Sequence, residues 1–175
     1  MRLEGGCYCG AVRYVAEGEP LLRAQCHCRA CQYFSGGAPN LFMLVPAEGF
    51  AYTKGAPKTY RRPDKADAVT REFCAVCGTH MISRRPGLRP VVLKIGTLDD
   101  PSVYGGAQKA IFTAEGQPFH LIADGVPAFE GLPPRQVQIN PVAGVGTLAV
   151  ALVSDPLRTC GLSRIVVLNR PGLAA

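Results

Sequence analysis

A mainly β fold with few or very short helices is what this sequence predicts, on three observations. Apolar residues come in short runs bounded by turn residues, at Ala11–Ala16, Leu21–Gln25, Asn40–Val45, Pro57–Arg61, Val69–Phe73, His80–Arg84 and Val91–Ile95, and runs of this length suit strands. The 175 residues include 20 Gly and 15 Pro, with breaks at Pro46, Gly49, Gly55, Pro57, Pro86, Gly87 and Pro90 that would stop a long helix. No window carries a sustained helical stripe. The best helical candidate is one turn at Arg29–Phe34, the alternative there being an irregular loop.

The length allows one domain, expected over residues 1–135, and leaves no room for a second catalytic domain. After Pro133-Pro134-Arg135 charged residues thin out, and residues 136–175 read as an appended C-terminal segment. Its small apolar run, Pro141–Val153, holds Gly144 and Gly146 and falls short of the roughly 20 apolar residues of a membrane span. No membrane partner is expected. The start, Met1-Arg2-Leu3-Glu4-Gly5-Gly6-Cys7, lacks the apolar stretch of a secretory signal, so the expected location is the cytoplasm.

Eight cysteines organise the chemistry. They fall as Cys7/Cys9, Cys26/Cys28/Cys31 and Cys74/Cys77, with Cys160 alone in the C-terminal segment. In a reducing compartment such close spacing marks metal sites rather than disulfides. Cys74-Ala75-Val76-Cys77-Gly78 is a knuckle: two intervening residues bring both sulfurs to one point, and Gly78 can take the positive φ of the turn. Cys7-Tyr8-Cys9-Gly10 places two sulfurs on one side of an extended backbone. Joined, the two pairs complete a four-thiolate zinc site, which is closed and therefore structural.

The middle group, Cys26-His27-Cys28-Arg29-Ala30-Cys31, offers three thiols within six residues. Three protein ligands and an open position are what catalytic zinc uses, so this is the candidate active site. The alternative is closure of the tetrahedron by His27 or Cys160. Adjacent residues of an extended segment point to opposite faces, which disfavours His27. Two zinc ions are therefore the expected cofactors. Seven thiolates against two divalent ions bring the formal net charge from +6 to about +3. The basic residues are also dispersed, with only Arg61-Arg62 and Arg84-Arg85 adjacent, which argues against a nucleic-acid partner.

A thiolate-rich centre is soft and suits another thiolate as incoming ligand, so a small thiol is the expected substrate. Arg29, Arg71, Arg61 and Arg62 are candidates to pair with its carboxylates, and Gln32, Ser35, Gly36 and Gly37 could hydrogen-bond it. His120 is a candidate to line the cavity, whereas His80, in an apolar strand, reads as structural. Such an enzyme would carry a concave pocket opening onto Cys26, Cys28 and Cys31.

These segments resemble the glutathione-dependent formaldehyde-activating enzyme family, whose domain is shared with the centromere protein V group. The resemblance rests on Gly6-Cys7-Tyr8-Cys9-Gly10, Cys26-His27-Cys28-Arg29-Ala30-Cys31-Gln32, Ser35-Gly36-Gly37, Arg71-Glu72-Phe73-Cys74-Ala75-Val76-Cys77-Gly78-Thr79 and Gly96-Thr97-Leu98-Asp99-Asp100-Pro101. It spans about residues 3–135. It implies an Mss4-like β architecture, a structural zinc on Cys7, Cys9, Cys74 and Cys77, and a catalytic zinc on Cys26, Cys28 and Cys31. The implied activity joins glutathione to formaldehyde as S-(hydroxymethyl)glutathione, a carbon–sulfur lyase reaction in reverse. The chain departs from many members at Tyr104–Phe112 and at Pro118-Phe119-His120, where a tryptophan is often found. The competing reading is a non-catalytic zinc module that binds nucleic acid or a protein partner.

Overall fold

The computed structural model describes residues 1–134. The C-terminal segment 136–175, and Cys160 within it, lie outside the described residues.

The described residues form ten strands and one short α-helix: β1 (Arg2–Gly6), β2 (Arg13–Glu17), β3 (Leu22–Cys26), α1 (Arg29–Phe34), β4 (Asn40–Val45), β5 (Phe50–Lys54), β6 (Lys58–Tyr60), β7 (Thr70–Phe73), β8 (His80–Arg84), β9 (Val91–Lys94) and β10 (Lys109–Ile111). It is the mainly β architecture that the sequence predicts, consistent with the Mss4-like fold that the family resemblance implies. β1, β2 and β5 form a three-stranded sheet. The other seven form a second sheet in the order β10-β3-β4-β9-β8-β7-β6, antiparallel except for β10 beside β3.

Alternation along β4 shows how the layers are built. Met43 and Val45 face one way, into a core with Leu3, Tyr14 and Ala16 of the small sheet and Leu93 of β9. Phe42 and Leu44 face the other way, with Ala24, Cys26 and Ile111. The period of two thus gives the large sheet a main core on one face and a smaller cluster, containing the middle cysteine group, on the other. Burying side chains such as Met43, Leu93 and Ile82, all fully enclosed, stabilises the fold by about 1.5–3 kcal/mol each.

A bulge decides what the second face carries. β7 pairs with β8 as Arg71↔Ser83 and Glu72↔Ile82, but then Phe73 meets His80. The extra residue, Met81, turns His80 onto the same face as Ser83. His80 Nε2 lies 3.0 Å from Ser83 Oγ and donates to the Ile82 carbonyl at 2.9 Å. Ser83 in turn is opposite Val92 of β9, which belongs to the cluster around Cys26. His80, Ser83 and Arg71 therefore share a face with the three-cysteine group.

Candidate metal centres

The first cysteine group forms where two turns meet. After β1 the chain bends so that the Gly10 N–H reaches the Cys7 carbonyl at 3.0 Å, with Gly10 at φ 71°. It is a tight turn rather than the extended stretch expected from the spacing. Between β7 and β8 the Gly78 N–H reaches the Cys74 carbonyl at 2.9 Å, with Gly78 at φ 74°. Both glycines sit in the left-handed region that side chains disfavour. The turns are joined by the Tyr8 N–H, which donates to Thr79 Oγ1 at 3.2 Å.

Cys7, Cys9, Cys74 and Cys77 then bring four sulfurs within 4.8 Å of one another. Cys7 and Cys9 Sγ are 3.5 Å apart, and Cys9 and Cys74 Sγ 3.8 Å. Four sulfurs at about 2.3 Å from one tetrahedral ion would be separated by about 3.8 Å, so the set fits zinc. Backbone N–H groups of Val12 and Val76 point at Cys7 Sγ (3.2 Å) and Cys74 Sγ (3.4 Å), and such donors stabilise thiolate charge. Hydrogen bonding from Thr79 pulls Cys77 down to about 5.

The second group lies at the junction of β3 and α1. Cys26 ends β3, Cys28 is the helix N-cap, and Cys31 is in its first turn, donating its N–H to Cys28 Sγ at 3.4 Å. A sulfur thus takes the place a capping oxygen usually holds. All three sulfurs lie within 4.8 Å of one another. Three thiols this close compete for protons: Cys28 and Cys31 push Cys26 up, while Cys26 and Cys31 push Cys28 down. A divalent cation removes that conflict, because the sulfurs then share its charge instead. Among the described residues no further histidine, cysteine or carboxylate joins this group.

His27, between two of these cysteines, is 1% exposed and turns away to meet His120, with 3.0 Å between their Nδ1 atoms. His120 Nε2 faces the Gly37 carbonyl at 2.8 Å, and its Nδ1 also accepts the Gln117 N–H at 3.2 Å. Nε2 must carry the His120 proton, so His27 must donate from Nδ1. His27 Nε2 is then a bare, buried lone pair with no partner among the described residues. Burial first, and His120 second, lower the His27 pKa and keep the ring neutral.

The remaining candidates divide. Gln32, 1% exposed, is spent on structure: its amide donates to the carbonyls of His27 (2.6 Å) and Glu115 (2.8 Å). Ser35 is the helix C-cap, Gly36 and Gly37 follow at φ 67° and 94°, and the Gly37 N–H goes to the Gln32 carbonyl at 2.7 Å. Arg29 is exposed, stacked over Tyr33 and bonded to Gln32 Oε1 at 2.6 Å. Arg62 pairs with Asp64, and Arg61 bonds the Ala66 carbonyl. Arg71 differs from them: it is 8% exposed, and its guanidinium carbon lies 4.0 Å from the centre of the Phe34 ring of α1.

One buried cation was missed by the sequence reading. Lys94 is 8% exposed and its ammonium donates to Asn40 Oδ1, while Asn40 is directly opposite Cys26 in the sheet. Burial lowers Lys94 to about 8, and Cys31 opposes that shift. The signal was a lone charge in the apolar run Val91-Val92-Leu93-Lys94-Ile95. Two open cavities, about 470 and 540 Å³, lie elsewhere, along Tyr104, Gly106, Ala107 and Val126. Neither has a cysteine in its wall, and the three-cysteine group is marked by its donor geometry. No helix among the described residues is long and apolar enough to cross a membrane.

No curated protein matches the sequence. Among solved structures, the chain is similar to a Rhodobacter sphaeroides protein known from a structural-genomics crystal structure, at 19% identity and a TM-score of 0.48, over 60% of this chain and 97% of that one. The family model described as glutathione-dependent formaldehyde-activating enzyme matches residues 2–115, well over half of the chain. With seven cysteines gathered in two groups inside that span, the chain belongs to the glutathione-dependent formaldehyde-activating enzyme family.

Proposed function

We propose that this protein is a zinc-dependent carbon–sulfur lyase that makes or breaks the adduct of a small thiol, glutathione or one like it, with an aldehyde. Cys7, Cys9, Cys74 and Cys77 hold a structural zinc, and Cys26, Cys28 and Cys31 hold a catalytic one. The carrying observation is the asymmetry of the two groups: four sulfurs in one and three in the other, with no further donor among the described residues. Zinc bound by three thiolates would keep an incoming thiol ionised at neutral pH.

The chain's own residues prepare that site. The Cys31 N–H on Cys28 Sγ and the β3–α1 junction fix the three sulfurs before any ligand arrives, so little ordering remains to be done on binding. Gln32 and the His27–His120 pair tie the cysteine loop to the segments at Glu115 and Gly37. In the forward direction the thiol sulfur bonds to the carbonyl carbon, the carbonyl π pair moves to oxygen, and the thiol proton ends there as the hydroxyl. The reverse breaks the C–S bond and returns the proton to sulfur.

Metal analysis with calorimetric titration of glutathione tests the reading. Two zinc ions per full-length chain are expected, falling to one in Cys31→Ser, with glutathione binding lost in that variant. Loss of the second zinc in Cys160→Ser would mean that the chain closes the site itself, and the catalytic role would fall.

A further inference from the structure

Arg71 and Lys94 are both more than nine-tenths buried, and neither has a carboxylate partner among the described residues. Among the described residues Arg71 has one weak hydrogen bond, to the Val69 carbonyl at 3.4 Å, and Lys94 bonds only to the neutral Asn40. A buried cation without a counter-charge is costly, so the anion that faces it has to be found.

Sheet register shows what it is. Cys26 is opposite Asn40, Phe42 opposite Lys94, Val92 opposite Ser83 and Ser83 opposite Arg71. Residues directly opposite one another share a face, and Asn40, Phe42, Val92 and Lys94 each keep to that face by the period of two. Both cations therefore stand on the face that carries the three-cysteine group. α1 closes the arrangement, since it is capped by Cys28 and ends at Phe34, whose ring lies under the Arg71 guanidinium.

The charges can be counted. Three thiolates around a divalent ion carry one net negative charge, and Arg71 and Lys94 add two positive ones. One uncompensated positive charge remains in a buried setting. His80, on the same face, contributes none, because its Nε2–H is committed to the Ile82 carbonyl and its ring is neutral. Arg29, the first residue of α1, and Glu115, whose Oε2 accepts the Arg29 backbone N–H at 2.7 Å, are exposed and opposite in sign. An anion at the fourth position neutralises the remainder, whereas a neutral donor leaves it in place.

We propose that Arg71 and Lys94 make the three-cysteine centre selective for a monoanionic fourth ligand, so that it takes a thiolate in preference to a neutral nitrogen or oxygen donor. This deepens the functional reading above and rests on it for the presence of the metal. Selectivity then lies in two cations behind the sulfurs, not in contacts with the remainder of the thiol molecule.

Calorimetry on full-length, zinc-loaded protein tests this with three probes: 2-mercaptoethanol, a thiol with no carboxylate; azide, an anion with no thiol; and imidazole, a neutral donor. Lys94→Met and Arg71→Gln each remove one charge, and Lys94→Arg keeps it. Both charge-removing variants should lose about tenfold or more in affinity for 2-mercaptoethanol and azide, with imidazole binding undiminished and Lys94→Arg close to wild type. Should one charge-removing variant fail to fold, the other carries the comparison. Unchanged anion affinity in the folded variants, or an equal loss for imidazole, overturns the proposal. Thiol binding that ignores both charges defeats the inference alone. A wild-type centre that takes azide in a Lys94-dependent way but no thiol upholds the selectivity for a monoanion, while defeating its extension to thiolates and the lyase reading with it.

Discussion

His27 and His120 meet through their Nδ1 atoms at 3.0 Å, and one proton lies between them. That proton belongs to His27, because the other nitrogen of His120 faces a carbonyl oxygen. The pair connects the cysteine loop to the turn at Gly37.

Replacement of His120 by Ala should therefore leave a buried donor on His27 unpaired and cost about 1–3 kcal/mol. Chemical denaturation of the metal-loaded protein checks the magnitude. Nitrogen-resolved NMR checks the assignment, with His27 expected as the Nδ1–H tautomer and His120 as Nε2–H. The opposite tautomers would refute the arrangement.

The two cysteine groups should respond differently to loss of a sulfur. Cys77→Ser removes one of four groups that join turns from two parts of the fold, so thermal stability should fall steeply and the loss should exceed that of chelating metal from the second group alone. Cys31→Ser acts on a helix of six residues at the end of β3, and the fold should persist, as seen by an unchanged far-UV spectrum. Equal loss of structure in both variants would contradict the division of roles.

His80 gives a pH dependence with a definite sign. Burial first, then Lys94, hold its pKa down to about 3, against about 6.5 in an unfolded chain. The folded state binds fewer protons, so this contribution to stability is complete above about pH 6.5 and is lost as pH falls toward the folded value. The imidazole signals of His80 should stay those of the neutral Nε2–H form at pH 5. A midpoint near 6.5 would show that the ring is not buried as described.

Gly5 is a packing test. A Cβ there would overlap the Thr97 carbonyl and the Tyr14 hydroxyl, and Tyr14 Oη and Thr97 Oγ1 are hydrogen-bonded at 2.8 Å. Gly5→Ala should destabilise by about 1–3 kcal/mol through overpacking. A full denaturant titration measures it, and a neutral result would mean that β1 can move freely away from Thr97.

Much of this architecture was legible because apolar runs and turn residues coincide. Asn40–Val45 and His80–Arg84 were expected as strands with the bounds they have, and Arg29–Phe34 settles as the helix. β1, β5 and β10 are not among the runs that predict strands. β1 ends in Gly5-Gly6 and contains one buried apolar side chain, Leu3, so its local preference is weak. β10 is three residues long and is fixed by parallel pairing to β3, a contact across more than 80 positions that no local window displays. The cysteine groupings were plain in the spacing. Lys94 and the His27–His120 contact were not, because both depend on which strands lie side by side.

The contact between Cys9 and Cys74 spans 65 positions of the chain. An ion shared there would tie off a loop holding β2 through β7, and the entropy of closing that loop would be withdrawn from the unfolded chain for as long as the ion stayed bound. During synthesis the first pair of thiols must wait for the knuckle to emerge. Until then it is a half-built chelate, open to oxidation or to a competing soft metal. If the four sulfurs hold an ion, the order of residues along the chain would make metal supply a condition of closing that loop.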